Sequence, residues 1–126
     1  MLFLAGAIFG CSAAEIWHHS QDTRLLFAQK LKCQSLAAAY VEKRSSEFGN
    51  YYVANVDYSP ARNSCIAALI ENTYQTGFES YEVTDIVTNA PLFGTACSNK
   101  QDCENKEPEM RRSQEEAFQK ALRSAE

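Results

Sequence analysis

The sequence predicts an α+β domain in which an N-terminal helix packs on a four-stranded antiparallel meander and a C-terminal helix follows. Three observations lead to this order. Apolar residues recur at three- and four-residue spacing over 23–45. Four segments rich in aromatic and β-branched residues then follow between 51 and 97, separated by Pro, Gly and Asn. A second helical pattern begins at Pro108.

The first helix is predicted from Thr23 to about Ser45. Asp22 or Thr23 is suited to its N-cap, and Gly49 follows as a stop signal. One face of a sheet has to be covered, and we expect this helix to cover it. The residues expected to face the core are Leu26, Phe27, Leu31, Cys33, Ala37, Ala38, Tyr40 and Val41.

Four strands are predicted, at 51–59, 64–73, 81–88 and 92–97. The turns between them are 60–63, which contains Pro and Asn, 74–80, which contains Gly77, and 89–91. The second strand is apolar on both faces, which predicts a central position. Because sequential hairpins build a meander, the four strands are expected to pair in chain order.

The C-terminal helix is predicted from Glu109 to about Ala125, with Pro108 in its first turn. Its apolar stripe is narrow and consists of Met110, Ala117, Phe118, Ala121 and Leu122. A narrow stripe indicates modest packing. We therefore expect a helix that frays or docks on a partner.

The size and charge of the chain limit its function. The 126 residues suffice for one domain with a real core, predicted over 23–126. The net charge of -4 argues against a nucleic-acid-binding face, which is normally basic, and against electrostatic attachment to an anionic membrane. No nucleic-acid partner is expected.

The first ten residues predict export. Leu2 to Gly10 is an uncharged, mainly apolar run, too short for a bilayer span of about 20 residues but matching the core of a secretory signal. Residues 1–10 are therefore predicted to be a signal peptide. Residues 11–22 are predicted to be a tether in which His18 and His19 are exposed to solvent. A structural N-terminal helix or strand is the alternative.

The segment Ile8-Phe9-Gly10-Cys11 resembles the lipobox of bacterial lipoproteins. This resemblance implies cleavage before Cys11 and attachment of lipid to its sulfur. Ser12, a residue other than Asp after the cysteine, implies an outer-membrane lipoprotein facing the periplasm. Cleavage before Glu15 is the alternative, and it predicts a periplasmic or secreted protein.

Five cysteines are present, and either cleavage site accounts for the odd number, because Cys11 is then lipidated or removed. The other four allow three pairings, of which we favour Cys33–Cys65 and Cys97–Cys103. The second pair encloses five polar residues that can fold back as a loop. No C-x2-C pair exists, so we expect no metal site and no cofactor.

A longer stretch, from Cys33 to Cys97, contains YSPARNSCIAAL followed by YEVTDIVTNAPLF. It resembles a pattern of small, uncharacterised exported proteins of Gram-negative bacteria. In that pattern a hairpin carries YSP-x-x-N-x-C and a later strand carries a D-x-x-T turn. The resemblance implies no activity and no catalytic residue.

The candidate chemistry on the strands is sparse. Asp57 and Asp85 can do acid–base work if neighbouring strands bring them together, but such residues more often lie on a solvated face or end a strand. We therefore predict no catalytic residue. Tyrosines are good contact residues, so Tyr58, Tyr81 and the turn residue Arg62 are the predicted binding residues.

These observations favour a non-enzymatic lipoprotein of the cell envelope that acts by contact. Its expected partners are membrane lipid, through the anchor, and an envelope protein or the cell wall. One alternative is a periplasmic or secreted inhibitor of a hydrolase such as lysozyme, with Arg62 at the tip of a blocking loop. Another is a small hydrolase that uses Asp57 and Asp85.

Overall fold

The predicted α+β architecture is confirmed in a computed structural model, which describes the backbone of residues 2–46 and 49–125 and the side chains of residues 23–46 and 49–125. The sheet has the order β1-β2-β3-β4, and every neighbouring pair is antiparallel. The elements are α1 (Leu2–Arg44), β1 (Gly49–Ser59), β2 (Ser64–Thr73), β3 (Glu79–Asp85), β4 (Ala90–Cys97) and α2 (Lys100–Arg123).

The first two hairpin turns form as predicted, each at a residue that tolerates positive φ. Asn63 has φ 49° between β1 and β2, and its N–H donates to the carbonyl of Pro60 at 3.3 Å. Gly77 has φ 71° between β2 and β3. A Cβ at Gly77 would also come within 2.8 Å of the backbone nitrogen of Lys100, so this turn requires glycine.

The third strand is predicted at 81–88, but it begins at Glu79 and ends at Asp85. It ends early because a carboxylate caps the turn after it. Asp85 Oδ1 accepts hydrogen bonds from the N–H groups of Val87 and Thr88, both at 3.1 Å. The turn closes at Asn89, which has φ 62°. Strand β4 consequently begins at Ala90 and includes Pro91, whose missing N–H is tolerated on an edge strand.

Helix α1 begins at Leu2 rather than at Thr23. Asp22 and Thr23 therefore do not cap it, and residues 11–22, predicted as a tether, lie on the helix. No proline lies between Leu2 and Arg44, so this segment lacks the residue that most strongly breaks a helix. In the described part of the chain, neither helix has an apolar stretch of the length that crossing a membrane requires.

The apolar stripe of α1 faces the core only in part. Cys33 and Ala37 are buried, whereas Leu26, Phe27 and Leu31 are 41%, 63% and 49% exposed. Leu31 precedes Cys33 by two positions, which places it on nearly the opposite side of a helix with 3.6 residues per turn. The prediction that the whole stripe faces the core is therefore wrong.

Helix α2 starts at Lys100, earlier than predicted, and contains Pro108 within it. Asn99 is its N-cap, since the Asn99 side chain accepts from the N–H of Asp102 at 2.9 Å. The segment predicted as a polar loop between Cys97 and Cys103 is thus the first turn of a helix and its cap. The cap at Asn99, and not Pro108, therefore sets the start of α2.

The main cover of the sheet is α2 and not α1. One core cluster joins Phe118 and Ala121 to strand residues Ile66, Ala68 and Val83, and the other joins Met110 and Cys103 to Ile70, Tyr81 and Cys97. On the opposite face of β2, Cys65, Ala67 and Leu69 are also buried. The central position predicted for this strand is confirmed.

Candidate functional site

Both predicted disulfides are present. Cys33–Cys65 joins α1 to β2, with Cα atoms 5.3 Å apart, and Cys97–Cys103 joins the end of β4 to the first turn of α2. Glu79 lies close enough to Cys97 and Cys103 for the three to resemble a metal-ligand group. The two sulfurs are bonded to each other, so they do not offer thiolates to a metal. The side chains of Cys11, His18 and His19 lie outside the described residues.

The three predicted binding residues do not form one surface. Tyr81 is 1% exposed and packs in the cluster with Met110, so its prediction as a contact residue is wrong. Tyr58 lies on the other face, opposite Cys65 in the β1–β2 ladder, and its hydroxyl donates to Asn63. Arg62 Nε donates to the carbonyl of Ala121 at 3.1 Å, which ties the turn to the end of α2.

Asp57 and Asp85 are not a catalytic pair. Both lie opposite Ile66, one on each side of β2, so two strand spacings of about 4.8 Å separate their backbones. Burial alone would raise the pKa of Asp85, but hydrogen bonds from the Ser64 hydroxyl and from the backbone of Thr88 and Val87 lower it. Asp57 forms an ion pair with Lys30 at 3.8 Å. Asp85 therefore acts as the cap of a turn.

A polar cluster of described residues lies where the last turn of α1 meets the sheet. We call it the Arg44 cluster, and it consists of Tyr40, Arg44, Tyr51, Glu71 and Glu82. The guanidinium lies 5.3 Å from the ring centroid of Tyr40 and 4.5 Å from that of Tyr51. It also forms an ion pair with Glu82 at 3.2 Å. The Tyr51 hydroxyl donates to Glu71 at 2.8 Å.

The surroundings within the Arg44 cluster change the pKa values of Glu82 and Tyr51. Burial raises the pKa of Glu82, although Arg44 beside it acts in the opposite direction. Burial, together with the hydrogen bond to Glu71, raises the pKa of Tyr51 to about 12. At neutral pH Tyr51 is consequently a hydroxyl donor.

The described bonds engage the charged groups of the cluster with one another, so its evident effect is to hold α1 on the sheet. Glu71 and Glu82 lie apart in the sequence, on β2 and β3. They come together because Leu69 pairs with Glu82 and Glu71 pairs with Ser80, which puts the two carboxylates on one face of adjacent strands. No local pattern in the sequence predicts this β2–β3 register.

A second feature is a groove between β4 and α2, which we call the edge groove. It consists of two adjoining cavities of about 370 and 360 Å³. Phe93 lines both of them, with Met110 in the first and Ala117 in the second. The charged residues on its rim are Arg62, Lys106, Glu109 and Lys120.

Strand β4 itself is an open edge of the sheet. It is the last strand in the order β1-β2-β3-β4, and its sequence APLFGTAC carries no charged residue. Open edges in natural proteins are usually protected by charge, proline or bulges. Pro91 and the bulge at Leu92, where the β3–β4 register shifts, protect only the start of β4, so Phe93 to Cys97 present an unprotected edge beside the groove.

Comparisons with known proteins found no matching family model, no matching curated protein and no matching solved structure. A function for this chain has therefore to be argued from its own residues. Among the described residues, the Arg44 cluster and the edge groove are two candidate sites. The first is occupied with internal bonds, whereas the second exposes backbone and apolar surface.

Proposed function

We propose that this chain is an exported, membrane-anchored module that acts by contact with an envelope protein or the cell wall, and not by catalysis. The observation that carries the proposal is the pairing of the cysteines. Cys33–Cys65 and Cys97–Cys103 use four of the five cysteines inside the folded domain. Disulfides persist in oxidising compartments, and Cys11 in its lipobox-like setting is the one cysteine that they leave over.

The anchor is chemically reasonable for Cys11. Each buried lipid methylene contributes about 0.8 kcal/mol, and stable attachment takes more than one chain. Bacterial lipoproteins carry several chains on the modified cysteine, so the module would remain on the membrane. By resemblance to bacterial lipoproteins, Ser12 favours the outer membrane facing the periplasm, and cleavage before Glu15 would instead release a periplasmic or secreted protein.

Contact is favoured over catalysis because the carboxylates of Glu71 on β2 and of Glu82 and Asp85 on β3 have structural partners. Asp85 caps a turn, and Glu71 and Glu82 are bonded to Tyr51 and Arg44. The edge groove, in contrast, offers apolar surface and an unprotected strand edge. It is the surface through which we propose that the module makes its contact.

The export proposal is tested by expressing the full chain in a Gram-negative bacterium and measuring the mass of its mature N-terminal peptide. We expect a mass that corresponds to Cys11 with lipid attached, in the outer-membrane fraction. Alkylation without reduction should leave the other four cysteines unlabelled. The variant Cys11→Ser should lack the lipid mass, and Ser12→Asp should move the protein to the inner-membrane fraction.

A cytosolic protein with an unprocessed N-terminus and five alkylated thiols would overturn the proposal. A mature N-terminus at Glu15 in the soluble periplasmic fraction would remove the anchor and leave export standing. Wild-type chain and Cys11→Ser should fold alike. Any difference between them then reports on attachment and not on the structure.

Inhibition of a hydrolase is the second candidate, favoured by the rigidity of the turn at 60–63. Arg62 donates through Nε to Ala121, and its N–H donates to the Ser59 hydroxyl at 3.2 Å. A loop held in one conformation loses less entropy on binding. The test is the lysis rate of bacterial cell walls by lysozyme with and without the chain, compared with Arg62→Glu. An unchanged lysis rate contradicts this candidate for lysozyme.

A further inference from the structure

We propose that the edge groove receives an extended, acidic segment of another protein, which adds to β4 as a fifth strand of the sheet. This inference rests on the proposed contact function and names the class of partner. Recognition of an extended segment by an open strand is a general mode of binding, in which backbone hydrogen bonds supply affinity and neighbouring pockets supply specificity.

The backbone of β4 can make these bonds. In an antiparallel ladder, alternate residues direct their N–H and C=O groups to opposite sides of the strand. β4 pairs with β3 from Ala90 to Cys97, and no described strand lies on its other side. After the bulge at Leu92, every second residue from Phe93 to Cys97 therefore offers its backbone groups to an incoming segment.

An added strand would find room on both faces of the sheet. On the face toward α2, the edge groove provides a floor of Phe93, Met110 and Ala117. On the opposite face, a cavity of about 570 Å³ is lined by Ser80, Glu82, Gly94 and neighbouring residues. Because side chains of a strand alternate between faces, those of the segment would enter these two spaces in turn.

The charge on the rim of the edge groove selects for acidic residues. The lining of its two cavities includes three cationic side chains, Arg62, Lys106 and Lys120, and one carboxylate, Glu109. Lys106 already pairs with Asp102 at 3.1 Å, and Arg62 is bonded to the backbone of α2. Lys120, at the far end of the groove, is the residue that we expect to contribute most to selection of an acidic side chain.

The same charges disfavour a second copy of this chain as the occupant. Antiparallel pairing of two β4 strands about their midpoint would set the two α2 helices antiparallel beside each other. Lys106 near the start of one groove would then face Lys120 near the end of the other, on both sides of the two-fold axis. Like charges at both ends oppose this dimer, whereas a separate acidic segment meets attraction.

The experiment uses the full chain with Cys11→Ser and both disulfides intact, immobilised against a phage-displayed library of random ten-residue peptides. We expect enriched peptides that alternate apolar and polar residues and contain Asp or Glu. The dissociation constant of one synthetic enriched peptide is then measured by fluorescence anisotropy. Hydrogen exchange of the complex should show slower exchange of backbone amides in β4.

Two matched double variants test the charges. The double variant Lys106→Glu with Lys120→Glu should raise the dissociation constant of the acidic peptide at least tenfold. Lys100→Glu with Arg112→Glu makes the same charge change on α2 outside the groove lining, and it should weaken binding less than threefold. Equal losses in the two variants, enrichment of basic or non-alternating peptides, no enrichment at all, or protection confined to other elements would each overturn the inference.

The oligomeric state of the free chain is the remaining arm of the test. Sedimentation should report a monomer, and a dimer with protected β4 amides would assign the groove to a second copy and overturn the inference. Since Cys11→Ser cannot be lipidated, this experiment is independent of anchoring. Peptide binding without lipid on the wild-type chain would contradict only the anchor, and lipid without peptide binding would contradict only the inference.

Discussion

The side-chain amide of Gln114 donates to the backbone carbonyl of Leu69 at 2.9 Å, from the middle of α2 to the central strand. The same nitrogen donates to the carbonyl of Glu82 at 3.0 Å, on β3. Gln114 is buried, one helical turn from Met110 and one turn from Phe118, which belong to the two apolar clusters. A polar side chain thus joins the helix to two strands between those clusters.

Removing this amide should destabilise the fold. Gln114→Leu keeps a similar volume but loses both hydrogen bonds, each worth roughly 1 kcal/mol. We expect the free energy of unfolding in urea to fall by about 1–2 kcal/mol. Gln119→Leu is the control, because Gln119 is exposed and its side chain bonds only to Glu115 in the described contacts. Equal effects of the two substitutions would contradict the role given to Gln114.

Thr84 provides a substitution that should stabilise the protein. Its Oγ1 is buried and has no hydrogen-bond partner among the described residues. Thr84→Val keeps the shape and removes the unsatisfied hydroxyl, so we expect the free energy of unfolding to rise by about 1 kcal/mol. Ser64→Ala should do the opposite, since the Ser64 hydroxyl donates to Asp85 at 2.6 Å. Thermal unfolding of both variants tests the two signs together.

Tyr51 should make the fold sensitive to alkaline pH. Its pKa is about 12 in the folded chain and 10.0 ordinarily, so between these values the unfolded chain loses a proton that the folded chain keeps. Stability from this group is complete below pH 10 and is lost as the pH rises through 12.

The measurement is the free energy of unfolding in urea from pH 8 to pH 11, at intervals of about half a unit. Tyr51→Phe should flatten the decline at the alkaline end, because the variant has no proton to lose at this position. Tyr74→Phe is the control, since Tyr74 is 63% exposed. A decline as steep in Tyr51→Phe as in the wild-type chain would show that this hydroxyl is not the source.

The two disulfides should contribute unequally. Cys33–Cys65 closes a loop with a sequence separation of 32, and Cys97–Cys103 one of 6. Loop-closure entropy predicts a stabilisation of roughly 4 kcal/mol for the longer loop and roughly 2 kcal/mol for the shorter. Replacing each pair by alanines and measuring urea unfolding tests the order. A larger loss from the short loop would indicate that the contacts at the start of α2 outweigh chain entropy.

The phenylalanines of the two helices should behave differently. Phe118 is 1% exposed in the cluster beneath α2, and Phe118→Ala should cost about 3–5 kcal/mol. Phe27→Ala, on the exposed side of α1, should change the free energy of unfolding by less than about 0.5 kcal/mol. A large loss from Phe27→Ala would mean that this side of α1 is covered in solution.

Much of the secondary structure follows from local chemistry. The bounds of β2 and the turn at 60–63 agree with the sequence pattern, because Pro60 fixes its own φ and Asn63 tolerates the positive φ that the turn needs. The turn at Gly77 agrees as well, because glycine adopts positive φ without a steric cost. Where local signals compete, the prediction is wrong: Pro108 suggested a helix start, but the cap at Asn99 begins the helix earlier.

Neither the Arg44 cluster nor the edge groove is predictable from the sequence, and the reason is the same for both. Glu71 and Glu82 share a face only because β2 and β3 pair in one register. Phe93 and Met110 line one cavity only because α2 returns along β4. Both arrangements join residues that are distant in the chain, and periodicity within a segment carries no information about such pairs.

The order of helices and strands and the central position of β2 were determined by the sequence alone, since turn residues and apolar runs act over short distances. The sequence favoured one of three pairings of the four cysteines, and the structure has that pairing. The tertiary structure decided which helix buries the sheet and which face of α1 stays in solvent. Burial depends on what packs opposite each side chain, so an apolar stripe shows that a helix can be covered but not that it is.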